Sequence, residues 1–324
     1  MRLGQNPAKF IERVAQPQRI TVALVSYIPF LGGYYAESLE ILKLCLNSLW
    51  QNTDLPYDLM IFDNASCLEV RNFLQKAHQE GRIQYLVLSD KNVGKGGGWN
   101  FIFGAAPGEF IAYADSDVYF FPGWLSAQIA LFDKFPNLGM VTGAPLRVPE
   151  EFSTKTVEWA QTYPGASLER GVLLPWEDWW RHARSLGLET EAEGRRLYQA
   201  NQDVCLTYEG KRYFIGAAHY QFVARKEVLQ SLTPIPSERP MGQVRSLDIA
   251  INANGFLRLC TPEWWVQHLG NTLQDFTFLS SAPAAEITSC LPQTHQSGRG
   301  ARSPWLRRLL LWLNKKTFDL LYRS

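Results

Sequence analysis

The chemistry in this chain is densest at Asp115-Ser116-Asp117, which closes the apolar run Phe110 to Ala114. In an extended chain, positions i and i+2 face one side, so both carboxylates can converge on one point. Two like charges held that close repel, and one takes a proton unless a cation neutralises them. A divalent ion such as Mg²⁺ or Mn²⁺ meets that need with oxygen ligands and leaves coordination positions for water and a diphosphate. The same three residues also suit a loop or a cap, because Asp is a turn residue. Upstream, Lys91-Asn92-Val93-Gly94-Lys95-Gly96-Gly97-Gly98-Trp99-Asn100 separates a strand pattern from a helix pattern. Glycines there would let backbone approach a ligand near a helix N-terminus, or simply make a flexible turn. The run is neither GxGxxG nor GxxxxGK[ST], so it licenses neither a dinucleotide fold nor a P-loop. Asp63-Asn64 ends another apolar run, where it could meet a ligand or cap the next helix.

These three elements need a scaffold, and the flanking pattern supplies one. Ile20 to Tyr27 is a short β-branched run, and Ser38 to Trp50 carries apolar residues at helical spacing. Strands at Leu59 to Phe62, Ile83 to Leu88 and Phe110 to Ala114 then alternate with helices at Leu68 to His78 and Gly98 to Ala106. Helix Trp124 to Phe135 and strand Gly139 to Thr142 complete this half. Such alternation predicts an α/β fold with a mostly parallel central sheet flanked by helices, with ligands beyond the carboxyl ends of the strands. From Pro145 to about Arg212 the alternation fails, with one predicted helix, Glu191 to Asn201, so the segment reads as an irregular insertion or second lobe. Regularity returns with a strand Tyr213 to Ala218, helices Arg225 to Leu232 and Val244 to Ala253, and a strand ending near His268. Ser280 to Arg302 reads as a polar linker and Pro304 to Tyr322 as a helix.

Composition sets limits on what this scaffold does. In 324 residues, 46 % are hydrophobic and 13 % aromatic, which supports a large core and excludes a disordered chain. Thirty-two basic residues against 31 acidic ones remove the footprint of a non-specific nucleic-acid binder. The basic charge gathers in residues 299 to 324, with seven Lys and Arg against Asp319 alone, which leaves the rest net acidic. Cys45, Cys67, Cys205, Cys260 and Cys290 are odd in number and show no CxxC spacing, which suits a reducing compartment and argues against a zinc site. The first 19 residues lack a signal-peptide core, and no run approaches the roughly 18 apolar residues of a membrane span. The expectation is a cytoplasmic protein, at most peripheral to a membrane.

The segments VSYIPF, YDLMIFDNAS, KNVGKGGGWNFIFGAAPGEFIAYADSDVYFFPGWL, YFIGAAHYQFVARKEVL and SLDIAINANGF together resemble family 2 glycosyltransferases of the GT-A (Rossmann-like) fold, across residues 20 to 148 and 213 to 270. The resemblance implies an inverting transfer from a nucleotide-diphosphate sugar to a hydroxyl of a glycan or glycolipid. It implies that Asp63, with Asn64, lies at the nucleotide base, that Asp115 lies near ribose and metal, and that Asp117 ligates the metal. Asn92, Gly94 and Asn100 match part of the donor pocket, and His268 matches a histidine that adds an imidazole to the Mn²⁺ or Mg²⁺ site. A single displacement also needs a base opposite the leaving diphosphate. The acidic pair expected there is reduced in this chain to Asp248, whose other reading is a helix N-terminal residue favoured by the dipole. Glu238 is the reserve. The implied organisation is an extension (1–18), a nucleotide-sugar half (19–148), an insertion or acceptor lobe (149–212), an acceptor half (213–279), a linker (280–303) and a basic tail helix (304–324).

Two rival functions remain open at this stage. A nucleotidyltransferase also uses a carboxylate-bound metal, but VSYIPFLGGYY lacks the basic residue it would want after the first strand. A non-catalytic sugar-nucleotide scaffold would explain the missing partner of Asp248. His219 is a candidate for lining the acceptor site, and Trp176, Trp179 and Trp180 could stack on sugar rings or pack as core. The tail from 304 to 322 combines Trp305, Leu309, Trp312 and Leu313 with basic residues, which suits either an anionic membrane surface or packing on a protein.

Overall fold

The computed structural model describes residues 5–241 and 243–273, together with Trp312 and Lys316. The first half follows the predicted alternation: β1 (Ile20–Ser26), α1 (Ser38–Asn52), β2 (Tyr57–Asn64), α2 (Leu68–Gln79), β3 (Tyr85–Ser89), α3 (Gly94–Ala105) and β4 (Phe110–Asp115). After β5 (Val118–Phe120), the predicted helix 124–135 breaks at Ala130 into α4 (Trp124–Ile129) and α5 (Leu131–Lys134), and β6 (Leu138–Thr142) follows. The remaining elements are α6 (Thr154–Thr162), β7 (Ser167–Gly171), α7 (Trp176–Ser185), α8 (Glu191–Ala200), β8 (Asp203–Tyr208), β9 (Lys211–Ile215), β10 (Gln221–Arg225), α9 (Lys226–Ser231), α10 (Arg245–Ala253), β11 (Leu257–Cys260) and β12 (Val266–His268).

Among the described residues, one ten-stranded sheet runs in the order β3-β2-β1-β4-β10-β6-β11-β9-β8-β7, and β12 pairs with β5 beside it. Strands β3, β2, β1 and β4 are mutually parallel. β10 runs antiparallel to β4 and to β6, while β6 and β11 are again parallel. Alternation along β1 explains why the sheet is covered on both faces. Val22 and Leu24 join one core with Leu42, Cys45, Leu46 and Leu49 of α1, whereas Ala23 faces a second core with Trp99, Ile102 and Phe103 of α3 and Leu247 and Ile251 of α10. At about 25 cal/mol per Å² of apolar area removed from water, these two faces dominate the fold's stability.

The segment 149–212 departs from the irregular lobe expected of it. Its β7 and β8 form an antiparallel extension of the central sheet through β9. An ion pair fixes it: Arg147, on the loop after β6, donates from Nε to Asp203 Oδ1 at 2.6 Å, and Asp203 Oδ2 accepts the backbone N–H groups of Leu173 and Leu174. The polar, Trp-rich composition hid these elements because β7 has only half-buried and exposed positions and α7 no buried one. Among the described residues, no helix is long and apolar enough to cross a membrane, and Cys45, Cys67, Cys205 and Cys260 are free thiols.

Candidate active site

The carboxyl ends of β1, β2 and β4 form one edge, and the sequence-predicted residues gather along it or just behind it. Asp115 is the last residue of β4, but Ser116 and Asp117 form a turn into β5 and do not continue the strand. The two carboxylates therefore meet different partners. Asp115 Oδ2 accepts from Lys95 Nζ at 2.7 Å and Oδ1 accepts from the Tyr113 hydroxyl at 2.6 Å. An internal ammonium thus answers part of the repulsion for which the sequence suggested a metal. Lys95 is only 10 % exposed and its Nζ also lies 5.3 Å from the Trp99 ring centre, so it is held as well as paired.

Asp117 is the carboxylate left open to a cation. Its Oδ1 is buried without a hydrogen-bond partner, and Oδ2 lies 3.4 Å from His268 Nε2. Burial pushes the Asp117 carboxyl above its usual range, with the Asp115 charge adding to the rise and His268 and Lys95 opposing it. The other His268 nitrogen, Nδ1, lies 2.9 Å from the Ser185 hydroxyl of α7, a bond that orients Nε2 toward Asp117. Beside it stands His182, whose ring centre is 6.2 Å from that of His268; burial pushes its imidazole down to about 3. A carboxylate with Oδ1 orphaned and Oδ2 beside an oriented imidazole fits a Mn²⁺ or Mg²⁺ ion. Among the described residues no cluster of three or more His, Cys, Asp or Glu side chains is arranged to hold a metal, so two protein donors would leave the remaining positions to substrate oxygens and water.

Other sequence candidates serve the framework. Asp63 is fully buried, with Oδ1 accepting from Ser26 and Oδ2 from the Ser66 N–H and Arg71 Nε. Asn64 donates to Asn92 Oδ1 and the Gly94 carbonyl and accepts the Val93 N–H, fastening β2 to the start of α3. Asn100 clamps the backbone of Ile235 through both amide atoms. The glycine run is not a ligand-facing turn, because α3 begins at Gly94 and includes it. A Cβ at Gly96 would lie 2.5 Å from the Pro236 carbonyl, and one at Gly98 2.9 Å from Val25, so these glycines let the 233–240 segment and β1 pack against the helix.

The acceptor-side candidates separate in the same way. Asp248 is 3 % exposed and packed between Arg258, which donates to Oδ1, and His219, whose Nε2 is 2.7 Å from Oδ2. It stands behind His219 and does not itself reach open space. Glu238 is exposed, accepts from Gln243, and lies on the segment that covers α3. Trp176 stacks on both Trp179 and Trp180, and Arg195 of α8 covers its ring at 4.3 Å, so these contacts join α7 to α8. Lys95, Tyr113, His182, Ser185 and Arg258 were not singled out from sequence. Arg258 alone carried a signal, a charge inside the apolar run Leu257 to Cys260.

Residues 34–188 match Glycosyl transferase family 2. The matched span covers just under half of the chain. Asp115, Asp117 and Lys95 lie inside that span, while His219, Asp248 and His268 come from the chain beyond it. The mixed α/β architecture agrees with the expected GT-A class. Similar solved structures include S. aureus TarS 1-349 (14 % identity, TM-score 0.43, 75 % of this chain and 60 % of that one) and a mannosyltransferase from Pyrobaculum calidifontis in complex with GDP-Man and Mn²⁺ (15 %, 0.44, 77 % and 56 %). A third is GalNAc-T7 with UDP, GalNAc and Mn²⁺ (13 %, 0.49, 79 % and 44 %). The chain thus spans 60 % or less of each of these three proteins. No curated protein matches the sequence.

Proposed function

We propose that this protein is an inverting glycosyltransferase that moves a sugar from a nucleotide-diphosphate sugar to a hydroxyl of a glycan or glycolipid. The observation that carries the reading is the pairing of Asp117 with His268 at the carboxyl edge of the glycosyl transferase domain, one oxygen of the carboxylate being buried and unpartnered. Asp117 and His268 would hold Mn²⁺ or Mg²⁺, which when bound neutralises charge on the leaving diphosphate. Asp115 keeps Lys95 in place at the same edge, so the site presents an ammonium as well as a carboxylate. Asp63, Asn64, Asn92, Gly94 and Asn100 shape the donor side by fixing β2 and α3. Calorimetry with UDP and GDP, with and without Mn²⁺, tests the reading: Mn²⁺-enhanced binding supports it, and no binding of either nucleotide contradicts it. Binding without turnover of any nucleotide sugar would favour the scaffold function.

The proposed membrane contact of residues 304–322 falls outside the described residues except for Trp312 and Lys316, which are helical and exposed. It rests on the net +6 of residues 299 to 324 and on Trp305 and Trp312, each basic residue near an anionic surface adding about 1 kcal/mol. Co-sedimentation with phosphatidylserine vesicles should be lost in a chain ending near Gly298, and equal sedimentation of both chains would refute it.

A further inference from the structure

The loop between β9 and β10 holds His219 by its backbone on almost every side. The Gly216 N–H donates to the Arg258 carbonyl at 3.0 Å, Ala217 O accepts from Arg258 Nη2 at 2.7 Å, and the Ala218 N–H donates to Thr142 Oγ1 at 2.7 Å. His219 O accepts from Lys95 Nζ at 3.3 Å, the same ammonium that pairs with Asp115. One lysine therefore ties the histidine to the carboxylate edge. Behind the ring, Asp248 Oδ2 lies 2.7 Å from the buried Nε2, close enough for charge pairing although not aligned as a hydrogen bond, and the fully buried Arg258 guanidinium binds both Asp248 and the His219 loop. Among the described residues, nothing is hydrogen-bonded to His219 Nδ1. The His219 side chain is 21 % exposed against 5 % for Asp248, so the histidine is the member of the pair that a substrate can reach.

We infer that His219 is the catalytic base of the proposed transfer and that Asp248 is its positioning residue. The inference rests on the glycosyl-transfer reading and adds the group that takes the proton. The negative charge of Asp248 2.7 Å from Nε2 favours a proton on that nitrogen, which leaves the Nδ1 lone pair for the acceptor. The acceptor hydroxyl gives its proton to Nδ1 as its oxygen bonds to the anomeric carbon. The bond from that carbon to the diphosphate breaks, and its electron pair leaves with the nucleoside diphosphate. The imidazolium so formed faces Asp248 and then returns its proton to solvent. The charged groups around this ring are Asp248 on α10, Arg258 on β11 behind Asp248, and Lys95 on α3 with Asp115 beyond it; Trp99 packs 6.0 Å from the ring centre.

Two measurements test the assignment. Nitrogen-15 NMR of histidine-labelled protein, with the His219 signals assigned by their loss in His219→Gln, should show the Nε2–H tautomer in the wild type and its disturbance in Asp248→Asn. A dominant Nδ1–H tautomer overturns the proposal whatever the donor. Transfer from a panel of UDP- and GDP-sugars to p-nitrophenyl glycosides should fall about 10²- to 10⁴-fold in His219→Gln with UDP and GDP binding retained. Free imidazole should restore part of the rate in His219→Ala, and the acid limb of the wild-type rate profile should vanish in His219→Gln. Unchanged transfer by His219→Gln overturns the proposal, whereas a wild type that binds neither UDP nor GDP marks failure of the glycosyl-transfer reading, with the tautomer still deciding the role of the pair.

Discussion

Replacing Lys95 with Met keeps the length of the side chain and removes the ammonium that pairs with Asp115. Breaking a buried ion pair costs about 3–5 kcal/mol because the remaining charge is left in a poor solvent. Asp115 is 26 % exposed and keeps its Tyr113 hydrogen bond, so the expected loss is lower, about 2 kcal/mol. For a chain of this size that lowers Tm by about 3 °C in metal-free buffer. The second consequence has the opposite sign. Asp115 is released to join Asp117 and His268 at the cation, and one added carboxylate should tighten Mn²⁺ binding at least about tenfold, or about 1.4 kcal/mol. Thermal unfolding with EDTA and with saturating Mn²⁺ reads both effects: Lys95→Met should melt below the wild type without metal and recover most of the difference with it. Equal destabilisation in both buffers, together with unchanged Mn²⁺ affinity, would refute the argument that Lys95 occupies one of the two carboxylates.

Gly96→Ala should push the 233–240 segment off α3, since the new Cβ would lie 2.5 Å from a backbone carbonyl; an overpacking cost of about 1–3 kcal/mol is expected in urea titration, and a change below about 0.5 kcal/mol would contradict the contact. Metal-free protein should lose stability as pH falls below 6.5, because the unfolded chain protonates His182 there while the folded chain does so only near 3. At pH 4.5 the difference is worth about 2 to 3 kcal/mol. His182→Gln should flatten that slope, and parallel slopes for the two proteins would refute the burial of a neutral imidazole. Asp203→Ala should cost about 3–5 kcal/mol by leaving Arg147 and two backbone N–H groups without their partner; a shift in urea midpoint equivalent to less than about 1 kcal/mol would show that the pair does not hold β7 and β8 to the sheet.

Much of the framework was legible because its signals are local. β-branched runs such as Ile20 to Ser26 and helical spacing such as Ser38 to Asn52 report burial on one or both faces directly. The segment 149–212 was not legible, since β7 and α7 pack as half-exposed elements and draw their stability from Asp203 and from stacked tryptophans distant in sequence. At the site, Asp117 and His268 lie 3.4 Å apart, while the partners of the other candidates did not follow from sequence. Lys95 was visible only as one residue of a glycine run, and its place opposite Asp115 depends on α3 beginning at Gly94. Asp248 was read as a residue facing the acceptor, whereas the buried Arg258 from β11 draws it behind His219. Side-chain pairing between elements is set by the packing of the whole sheet, which composition and spacing do not encode.

The central claim is that Asp117 and His268 hold a divalent cation for a nucleoside diphosphate. Calorimetric titration of UDP and GDP into wild type, Asp117→Asn and His268→Ala, each with Mn²⁺ and with EDTA, measures it directly. Mn²⁺ should strengthen nucleotide binding by the wild type at least about tenfold, Asp117→Asn should abolish this enhancement, and His268→Ala should reduce it less. Nucleotide affinities that depend equally on Mn²⁺ in the wild type and in Asp117→Asn would contradict it.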